Sequence, residues 1–368
     1  MSLVGFVRKE PVLTAALVLA LASFLLVPPS IGTLDHIDFE VLFILLSFMV
    51  VVAGMESSGA FHGMAGRMLR LCRGRILPLC AVLIILPFIT SMLITNDVAL
   101  ITFVPVSMVI LSSPGLRRYM IPVLVLQTIA ANLGSSLTPF GNPQNLFIFH
   151  RYDLGLTEFM STVGPYVLVG MIPLAVMMMM IMCRGGKVDT PAYEWRRIDT
   201  RFLILMSILF CLCVCTVLDV IPCIPVMVLV ILVMAVLRRD ALRKVDYGLI
   251  LTFIFLFVFT GNLSEMDAVS EILGQMMAWD PMMTSFLSSQ FISNVPAAVM
   301  LSGFTVDWQS LLIGVDVGGF GTPIASMASV ITLRFYSHME SGDTLRYLAV
   351  FSLANVVMVL SLIPLHLM

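Results

Sequence analysis

Two short polar runs interrupt long apolar stretches of the sequence and offer groups that bind small ions. The first run is Thr95-Asn96-Asp97 and the second is Ser293-Asn294. Their hydroxyl and amide groups can donate to an anion or coordinate a hard cation through oxygen. A half-helix that begins at such a run adds free backbone N–H groups and a partial positive charge, which favour a carboxylate or another oxyanion. The two runs therefore indicate an ion-binding site.

Two Gly-rich breaks follow these runs, and they align with each other without a gap. Residues 132–139 read NLGSSLTP, and residues 316–323 read DVGGFGTP. In each break a Thr, Thr138 or Thr322, precedes a Pro, so its hydroxyl stands beside a carbonyl that cannot continue a helical ladder. Unwound carbonyls of this kind can bind Na⁺. For any single residue, capping a helix or joining two spans is the competing interpretation, but a matched set favours binding.

Acidic residues in apolar surroundings are the third chemical signal. An acid inside the membrane costs about 2.5–3.5 kcal/mol on an insertion scale and indicates function. Asp97 either carries a proton for part of a transport cycle or is accompanied by a cation, and capping its own helix is the alternative role. Asp316 is the second candidate for proton coupling. Because no Lys or Arg lies deep in an apolar run, a small anion moving with a cation, a neutral solute and a bare cation all stay open.

The composition identifies the class of protein that carries these residues. Of 368 residues, 60% are hydrophobic and 11% are charged, and the mean hydropathy is +1.06. Soluble domains contain about 25% charged residues, so a soluble globular protein, a disordered chain and a nucleic-acid-binding protein are excluded. We expect no enzyme, cofactor or resident metal, because the sequence shows neither a nucleophile–base pair nor a metal-ligand cluster.

Apolar runs of this length predict membrane spans. Seven full spans are predicted, at 11–29, 39–58, 160–182, 202–218, 222–237, 246–264 and 347–366. Broken backbone at membrane depth is tolerated only where it is buried in protein or lines a wet cavity. The interrupted stretches 76–112 and 281–306 are therefore predicted to be re-entrant hairpins. Residues 119–149 and 310–333 are predicted to be discontinuous helices, for about nine full spans in an all-α protein.

The distribution of charge gives the predicted orientation. With the N-terminus in the cytoplasm, all of the 20 Lys and Arg residues except Arg151 fall in cytoplasmic segments, as the positive-inside rule requires. Arg8 and Lys9 belong to this set. The amphipathic run 60–73 is predicted to lie on the cytoplasmic surface, and 265–278 is its less basic counterpart outside.

The chain therefore divides into two similar units. Residues 1–182 form the first repeat, 183–221 form a cytoplasmic loop and a linking span, and 222–368 form the second repeat. An odd number of crossings separates equivalent points, so the second repeat is predicted to be inverted. Inverted repeats with broken elements at matching positions are typical of secondary transporters.

The same motifs resemble those of a known superfamily. The runs TNDVAL (95–100), GNPQNL (141–146), SNVP (293–296) and GFGTP (319–323) are similar to those of the ion transporter superfamily. This group includes divalent anion/sodium symporters, citrate transporters, arsenite permeases and one sodium/proton antiporter branch. The similarity covers almost the whole chain and is strongest to a branch of short bacterial inner-membrane proteins.

The resemblance implies a homodimer with a scaffold and an elevator-like transport domain. It also implies the roles of individual residues. Substrate contacts would come from Thr95, Asn96, Asp97, Ser293, Asn294, Val295, Thr322 and Pro323. Cation sites would involve Thr95, Asn96, Gly134, Thr138, Gly141, Ser293 and Asn294. The symporters have Ser-Asn-Thr at both tips, and here Asp97 and Val295 replace the third residue. A carboxylate there would repel a dicarboxylate unless it were protonated or paired with a cation.

These observations favour a secondary active transporter of a small anion, such as a carboxylate or an inorganic oxyanion, coupled to Na⁺ or H⁺. A cation/proton antiporter that uses Asp97 and Asp316 is one alternative. An arsenite-type efflux permease is another. The expected location is the bacterial cytoplasmic membrane, with the lipid bilayer, the small anion and a second copy of the chain as partners.

Overall fold

The structure, a computed structural model, describes residues 11–29, 31–72, 75–113, 115–182, 197–339 and 343–367. These residues form helices and turns without a β-strand, which confirms the all-α prediction. The predicted cytoplasmic N-terminus with Arg8 and Lys9, and the basic loop at 183–196, lie outside the described residues.

The helices are numbered here in chain order. The first half contains α1 (Pro11–Ser23), α2 (Phe39–Ser57), α3 (Ala60–Leu71), α4 (Ile76–Ser91), α5 (Asn96–Leu111), α6 (Met120–Ser135), α7 (Pro143–Arg151) and α8 (Leu156–Met182). Helix α9 (Thr200–Val217) links the halves. The second half contains α10 (Cys223–Leu237), α11 (Arg239–Leu242), α12 (Tyr247–Ser264), α13 (Asp267–Trp279), α14 (Pro281–Ile292), α15 (Asn294–Leu301), α16 (Trp308–Gly318), α17 (Met327–Ser337) and α18 (Thr344–Leu362).

Six of these helices begin at an Asp that caps the first turn. The caps are Asp38, Asp199, Asp246, Asp280, Asp307 and Asp343, and each carboxylate accepts a hydrogen bond from the backbone N–H three residues later. A carboxylate at this position satisfies a free donor and complements the positive end of the helix dipole. The local sequence therefore fixes where these helices start.

Five of the seven predicted spans correspond to helices long and apolar enough to cross a bilayer. They lie at 39–57, 156–181, 200–217, 239–264 and 344–366. The other two, predicted at 11–29 and 222–237, form helices of 13 and 15 residues. At 1.5 Å per residue they are about 20 and about 23 Å long, shorter than the about 30 Å hydrocarbon core. Helix α1 ends early because the chain turns at 24–26, ahead of Pro28-Pro29.

Each stretch predicted as a hairpin forms two helices around a short turn. Helices α4 and α5 have 16 residues each and pack against each other, with residues 92–95 as the turn. Helices α14 and α15 meet at the single residue Ser293, whose φ of +75° reverses the chain. A 16-residue helix is about 24 Å long, which is less than a full crossing.

Each stretch predicted as a discontinuous helix contains a helix, a break and a second helix. Residues 136–142 separate α6 from α7, and residues 319–326 separate α16 from α17. The breaks contain the two aligned Thr-Pro sequences. Every residue of the first break is buried or half-buried, whereas the second break also contains the exposed residues Thr322 and Ile324.

The two halves pack through matching helices. Helix α1 packs on α12, and α10 packs on α2, so the first helix of each half lies against a longer helix of the other. The last helices, α8 and α18, also pack together. Buried apolar side chains form two large cores: α2, α9, α10 and α12 build most of one, and α4, α5, α6, α8 and α18 build most of the other.

The two ends of the helix bundle differ in charge. At one end Arg238 pairs with Asp199 at 2.6 Å, and the Asp199 N–H donates to the Ser58 carbonyl. This end, named the basic end, carries the following side chains: Arg197, Arg201, Arg238, Arg239, Arg243 and Lys244. At the opposite, acidic end, His36 pairs with Glu265 at 3.2 Å, and His366 with Asp280 at 3.3 Å.

Candidate functional site

Asn96 and Asn294 begin the second helix of each hairpin and make the same local contacts. The Asn96 Oδ1 accepts from the Asp97 N–H at 2.8 Å, and the Asn294 Oδ1 accepts from the Val295 N–H at 3.0 Å. Both Asn residues are buried, with exposed fractions of 4% and 6%. Each side chain therefore caps its own helix through oxygen and keeps its Nδ2 donor for another partner.

The hairpin tips are also attached to the breaks in the same way in both halves. The backbone N–H of Asn96 donates to the carbonyl of Gly141 at 3.2 Å, and the N–H of Asn294 donates to the carbonyl of Ala325 at 2.9 Å. These contacts explain how an irregular backbone is satisfied in an apolar interior.

The Thr of each Thr-Pro pair makes a third repeated contact. The Thr138 hydroxyl donates to the Met92 carbonyl at 2.6 Å, and the Thr322 hydroxyl donates to the Gln290 carbonyl at 2.9 Å. Both carbonyls lie at the end of the first hairpin helix. Each Thr hydroxyl therefore joins its break to the neighbouring hairpin. Thr138 is half-buried and Thr322 is exposed.

Glycines at the two breaks allow each hairpin to pack closely against the chain around its neighbouring break. A Cβ added to Gly134 would lie 2.1 Å from the Phe88 carbonyl oxygen, and one added to Gly318 would lie 2.6 Å from the Ser289 Cβ. Gly141 is similarly tight, since its Cβ would lie 2.2 Å from the carbonyl oxygen of Ser135. The predicted cation-site residues Gly134 and Gly141 are therefore packing positions in this structure.

Asn132 connects the first hairpin tip to the second break. Its Oδ1 accepts from Asn96 Nδ2 at 2.9 Å and from the Ser326 hydroxyl at 3.2 Å. Its Nδ2 donates to the Gly319 carbonyl at 3.2 Å. Asn132 is 5% exposed, so this buried amide joins the two halves of the chain at the level of the tips.

The two tips face one small cavity. This tip cavity has a volume of about 40 Å³, enough for a few water molecules. Among its lining residues are Asn96, Asp97, Ser293, Asn294, Val295, Gln144, Asp246 and Ser326. Five of the predicted substrate-contacting residues are therefore brought together from positions about 200 residues apart in the chain.

The other predicted residues lie outside this cavity. Thr95 occupies the position before α5, where its side chain makes no capping hydrogen bond, and it lines a larger cavity beside the first tip. Thr322 and Pro323 lie in the second break, and the Thr322 N–H donates to the Gln290 Oε1 at 2.9 Å. Asp316, in α16, is 7% exposed, and its Oδ1 accepts a hydrogen bond of 3.4 Å from the Gln144 Nε2. Asp97 and Asp316 are thus separate sites.

Several buried oxygen atoms near the tips and breaks accept no hydrogen bond from the described residues. They are Asp97 Oδ1, Asn142 Oδ1, Asn145 Oδ1 and Asp316 Oδ2. Neither carboxylate takes part in an ion pair within the described part of the chain, and no described Lys or Arg lines the tip cavity. A buried acceptor without a partner is costly, and a proton or a hard cation would satisfy it.

Two vestibules approach this region from opposite ends. The basic-end vestibule has a volume of about 480 Å³, and it extends from Glu56 and Lys244 to Thr95 and Asp97. The acidic-end vestibule, of about 420 Å³, begins at Asp38 and is lined by Val299 of α15 and by Ser302, the residue after that helix. Asp97 lines both the tip cavity and the basic-end vestibule, so the site lies closer to the basic end.

Four lining or linking residues were missed by the sequence analysis: Asn132, Gln144, Asp246 and Ser326. Asn132 opens the aligned octapeptide opposite Asp316, so the alignment held a signal for it. Gln144 lies within the motif GNPQNL. Asp246 is exposed and caps α12, accepting from the Leu249 N–H at 3.1 Å. In the sequence Asp246 is only the first residue of the span predicted at 246–264.

Comparison with known proteins shows which family the chain belongs to. A profile described as "Citrate transporter" matches residues 3–333. The chain belongs to the citrate transporter family. This assignment makes the chain a membrane transporter and confirms the resemblance to the ion transporter superfamily.

Relatives of this citrate transporter family member come from distant organisms. An uncharacterized transporter of Methanocaldococcus jannaschii is 32% identical over 314 residues, which cover 81% of each chain. The inner membrane protein YbiR of Escherichia coli is 30% identical over 314 residues, which cover 81% of this chain and 80% of that one. The silicon efflux transporter LSI3 of rice is 32% identical over 153 residues, which cover 41% of this chain and 30% of the rice protein.

Proposed function

We propose that the protein is a secondary active transporter of a small anion, a carboxylate or an inorganic oxyanion, coupled to Na⁺ or H⁺. The observation that carries the proposal is the meeting of the two hairpin tips at one cavity. Solute sites at the interface of two repeats, built by broken helices, are typical of secondary transporters.

Helix ends and amides would hold the anion, because the described lining contains no Lys or Arg. The N-termini of α5 and α15 begin at the cavity, and neither Thr95 nor Ser293 uses its side chain as a cap. Two such N-termini present partial positive charge to the same volume. Asn294 Nδ2 has no hydrogen-bond partner among the described residues and is available to donate to a ligand.

Unpaired oxygens support the coupling to a cation. Asp97 and Asp316 each have a buried carboxylate oxygen without a hydrogen-bond donor in the described structure. Na⁺ bound there, or a proton carried there, removes the cost of the unpaired acceptor. A carboxylate neutralised in this way also no longer repels an anion in the tip cavity.

Alternating access between the two vestibules would complete the mechanism. The hairpins are proposed to be re-entrant, since α4 and α5 are too short for a full crossing and their tip ends at a central cavity. The proposed elevator-type motion in a homodimer follows the family resemblance. The basic end is proposed to face the bacterial cytoplasm, because Lys and Arg residues cluster there and cytoplasmic segments carry an excess of them.

The test is uptake into proteoliposomes with the purified protein. Thermal unfolding in the presence of a panel of anions, at several Na⁺ concentrations and pH values, first identifies a ligand, since a ligand stabilises the state that binds it. Uptake of that anion is then measured with a Na⁺ gradient, a pH gradient or neither. Accumulation against the anion gradient that requires one of the two cation gradients is expected. Conduction that needs no gradient, as through a channel, would overturn the proposal.

A cation/proton antiporter is a second candidate, favoured by the two unpaired carboxylates of Asp97 and Asp316. Asp97→Asn distinguishes the two functions. An antiporter should lose proton exchange in this variant, whereas anion uptake should continue with altered dependence on the coupling ion. Proton exchange without any anion, measured with a pH-sensitive dye inside the vesicles, would favour the antiporter.

Efflux of a neutral metalloid hydroxide is a third candidate, favoured by the partial similarity to the rice silicon efflux transporter. Silicic acid is neutral, and a cavity lined by amides and hydroxyls could bind it without a basic residue. Release of silicic acid or arsenous acid from loaded vesicles, insensitive to competing anions, would favour this function over anion transport.

A further inference from the structure

Glu40, His150 and Asp219 meet at the acidic end, away from the tip cavity. One ligand atom from each side chain lies within 4.8 Å of the others, and the His150 Nε2 is 3.8 Å from the Glu40 carboxylate. The three residues come from separate parts of the chain: the first turn of α2, the last turn of α7, and the turn between α9 and α10. None of them takes part in the proposed anion site.

The three side chains offer ligands that Zn²⁺ takes in proteins, an imidazole nitrogen and two carboxylate oxygens. Cys223, the first residue of α10, follows Asp219 by four residues and is a free, buried cysteine. Its thiol is not one of the three groups that meet within 4.8 Å.

We propose that this cluster binds a divalent transition metal of the Zn²⁺ class. Metal–ligand bonds of about 2.1 Å in a tetrahedral site place ligand atoms about 3.4 Å apart. The observed separations require only small side-chain movements to reach that distance. The imidazole ligand selects against Mg²⁺ and Ca²⁺, which prefer oxygen ligands. Glu40 is 54% exposed, so an ion can enter from solvent.

The position of His150 gives the site a consequence for transport, which rests on the proposed function. Helix α7 begins with Pro143 and Gln144 at the tip cavity and reaches His150 two turns later. A metal bound by His150, Glu40 and Asp219 would tie α7 to α2 and to the turn between α9 and α10. Because access to the cavity must alternate, fixing α7 in one position would inhibit transport.

The binding test uses the full-length protein and Zn²⁺ alone. Isothermal titration in detergent is expected to show one Zn²⁺ site, with binding at least tenfold weaker in His150→Ala and in Glu40→Gln. His366→Ala is the matched control, because His366 forms another His–carboxylate pair at the same end, and its Zn²⁺ affinity should equal that of the wild type. Glu40→Gln is expected to fold normally, because the side chain is largely exposed, so weaker binding in this variant reports loss of a ligand and not misfolding.

The outcomes separate this proposal from the proposed function. No Zn²⁺ binding below millimolar concentration, or equal affinity in the wild type and Glu40→Gln, overturns the metal site. Because Zn²⁺ binding is measured without a substrate or a gradient, a failure to observe anion uptake leaves the metal-site proposal intact. Inhibition of uptake by Zn²⁺ in the wild type, with at least tenfold less sensitivity in Glu40→Gln, is the expected effect on transport.

Discussion

Asn132 and Asp316 occupy the same position in the two aligned breaks but have different chemistry. The neutral amide of Asn132 is satisfied by Asn96, Ser326 and the Gly319 carbonyl, whereas Asp316 keeps one oxygen without a partner in the described structure. The first position therefore holds the two halves together. The second retains an acceptor for a proton or a cation.

Replacing Asn132 with Ala should destabilise the protein and abolish uptake. Asn96 Nδ2, the Ser326 hydroxyl and the Gly319 carbonyl would lose their partner, at about 1–3 kcal/mol for each group that stays unpaired. The measurement is thermal unfolding with and without the transported anion. Asn262→Ala is the control, because Asn262 is equally buried but bonds to Ser23 between α1 and α12. Asn262→Ala should lose stability but should still be stabilised by the anion. If both variants lost the anion-induced stabilisation, a specific role for Asn132 would be contradicted.

Replacing Asp97 with Asn should remove the coupling of transport to its cation. Asn keeps the size of the side chain but has no negative charge that holds Na⁺ or exchanges a proton. Uptake should become insensitive to the driving gradient, while anion-induced thermal stabilisation remains. Asp267→Asn, at an exposed site on α13, is the control. Gradient-driven accumulation at the wild-type level in Asp97→Asn would show that the coupling ion binds elsewhere.

The sequence was enough to predict the tip residues, but not all of their partners. Thr95-Asn96 and Ser293-Asn294 stand out because polar residues are rare in apolar runs. The roles of Asn132 and Ser326 depend on an approach between residues 194 positions apart, which periodicity cannot reveal. Asp246 was predicted only as the first residue of the span 246–264, because its place at the cavity follows from the packing of α12.

At the scale of helices, the breaks and hairpins act as pairs held by close backbone contact. Gly134 and Gly318 allow α6 and α16 to approach the first helix of each hairpin. The repeated Thr-to-carbonyl and N–H-to-carbonyl bonds then fix the register of each pair. A hairpin and its neighbouring break should therefore move as one unit.

Gly134→Ala and Gly318→Ala test this close packing. Overpacking of a buried site costs about 1–3 kcal/mol, so both variants should unfold at lower temperature than the wild type. Gly164→Ala in α8 is the matched control, since nothing lies within 4 Å of its added Cβ. In a helix interior this change should be neutral or stabilising by about 0.5–1 kcal/mol. Equal unfolding temperatures for Gly134→Ala and Gly164→Ala would refute the packing argument.

Helix positions were predicted well where the chain carries a local stop signal. Polar, Gly and Pro residues that interrupt an apolar run mark the ends of helices, so the positions of the hairpins and the breaks could be predicted from them. The length of α1 could not, because continuous apolar residues at 24–27 hide a turn, whereas α10 (Cys223–Leu237) matches the span predicted at 222–237. Hydropathy measures the preference for lipid, and it does not report where the backbone changes direction.

For the whole molecule, the separation of the basic end from the acidic end gives a test of orientation. Arg243→Cys and Asp267→Cys place single thiols at opposite ends, both exposed, in a background whose native cysteines are replaced. A membrane-impermeant maleimide added to intact cells should label Asp267→Cys and leave Arg243→Cys unlabelled. Permeabilised cells, in which both should react, are the control. The reverse pattern would place the basic end outside the cell.

The unequal depth of the two vestibules has a pharmacological consequence. Apolar side chains such as Phe48 and Met49 form much of the wall of the basic-end vestibule, and Asp97 lies at its inner limit. Its volume and lining suit a drug-sized hydrophobic compound with one cationic group. Such a compound would inhibit the protein by holding it in one conformation when it is applied to the face of the membrane on which the basic-end vestibule opens. The same dose applied to the other face would have no effect.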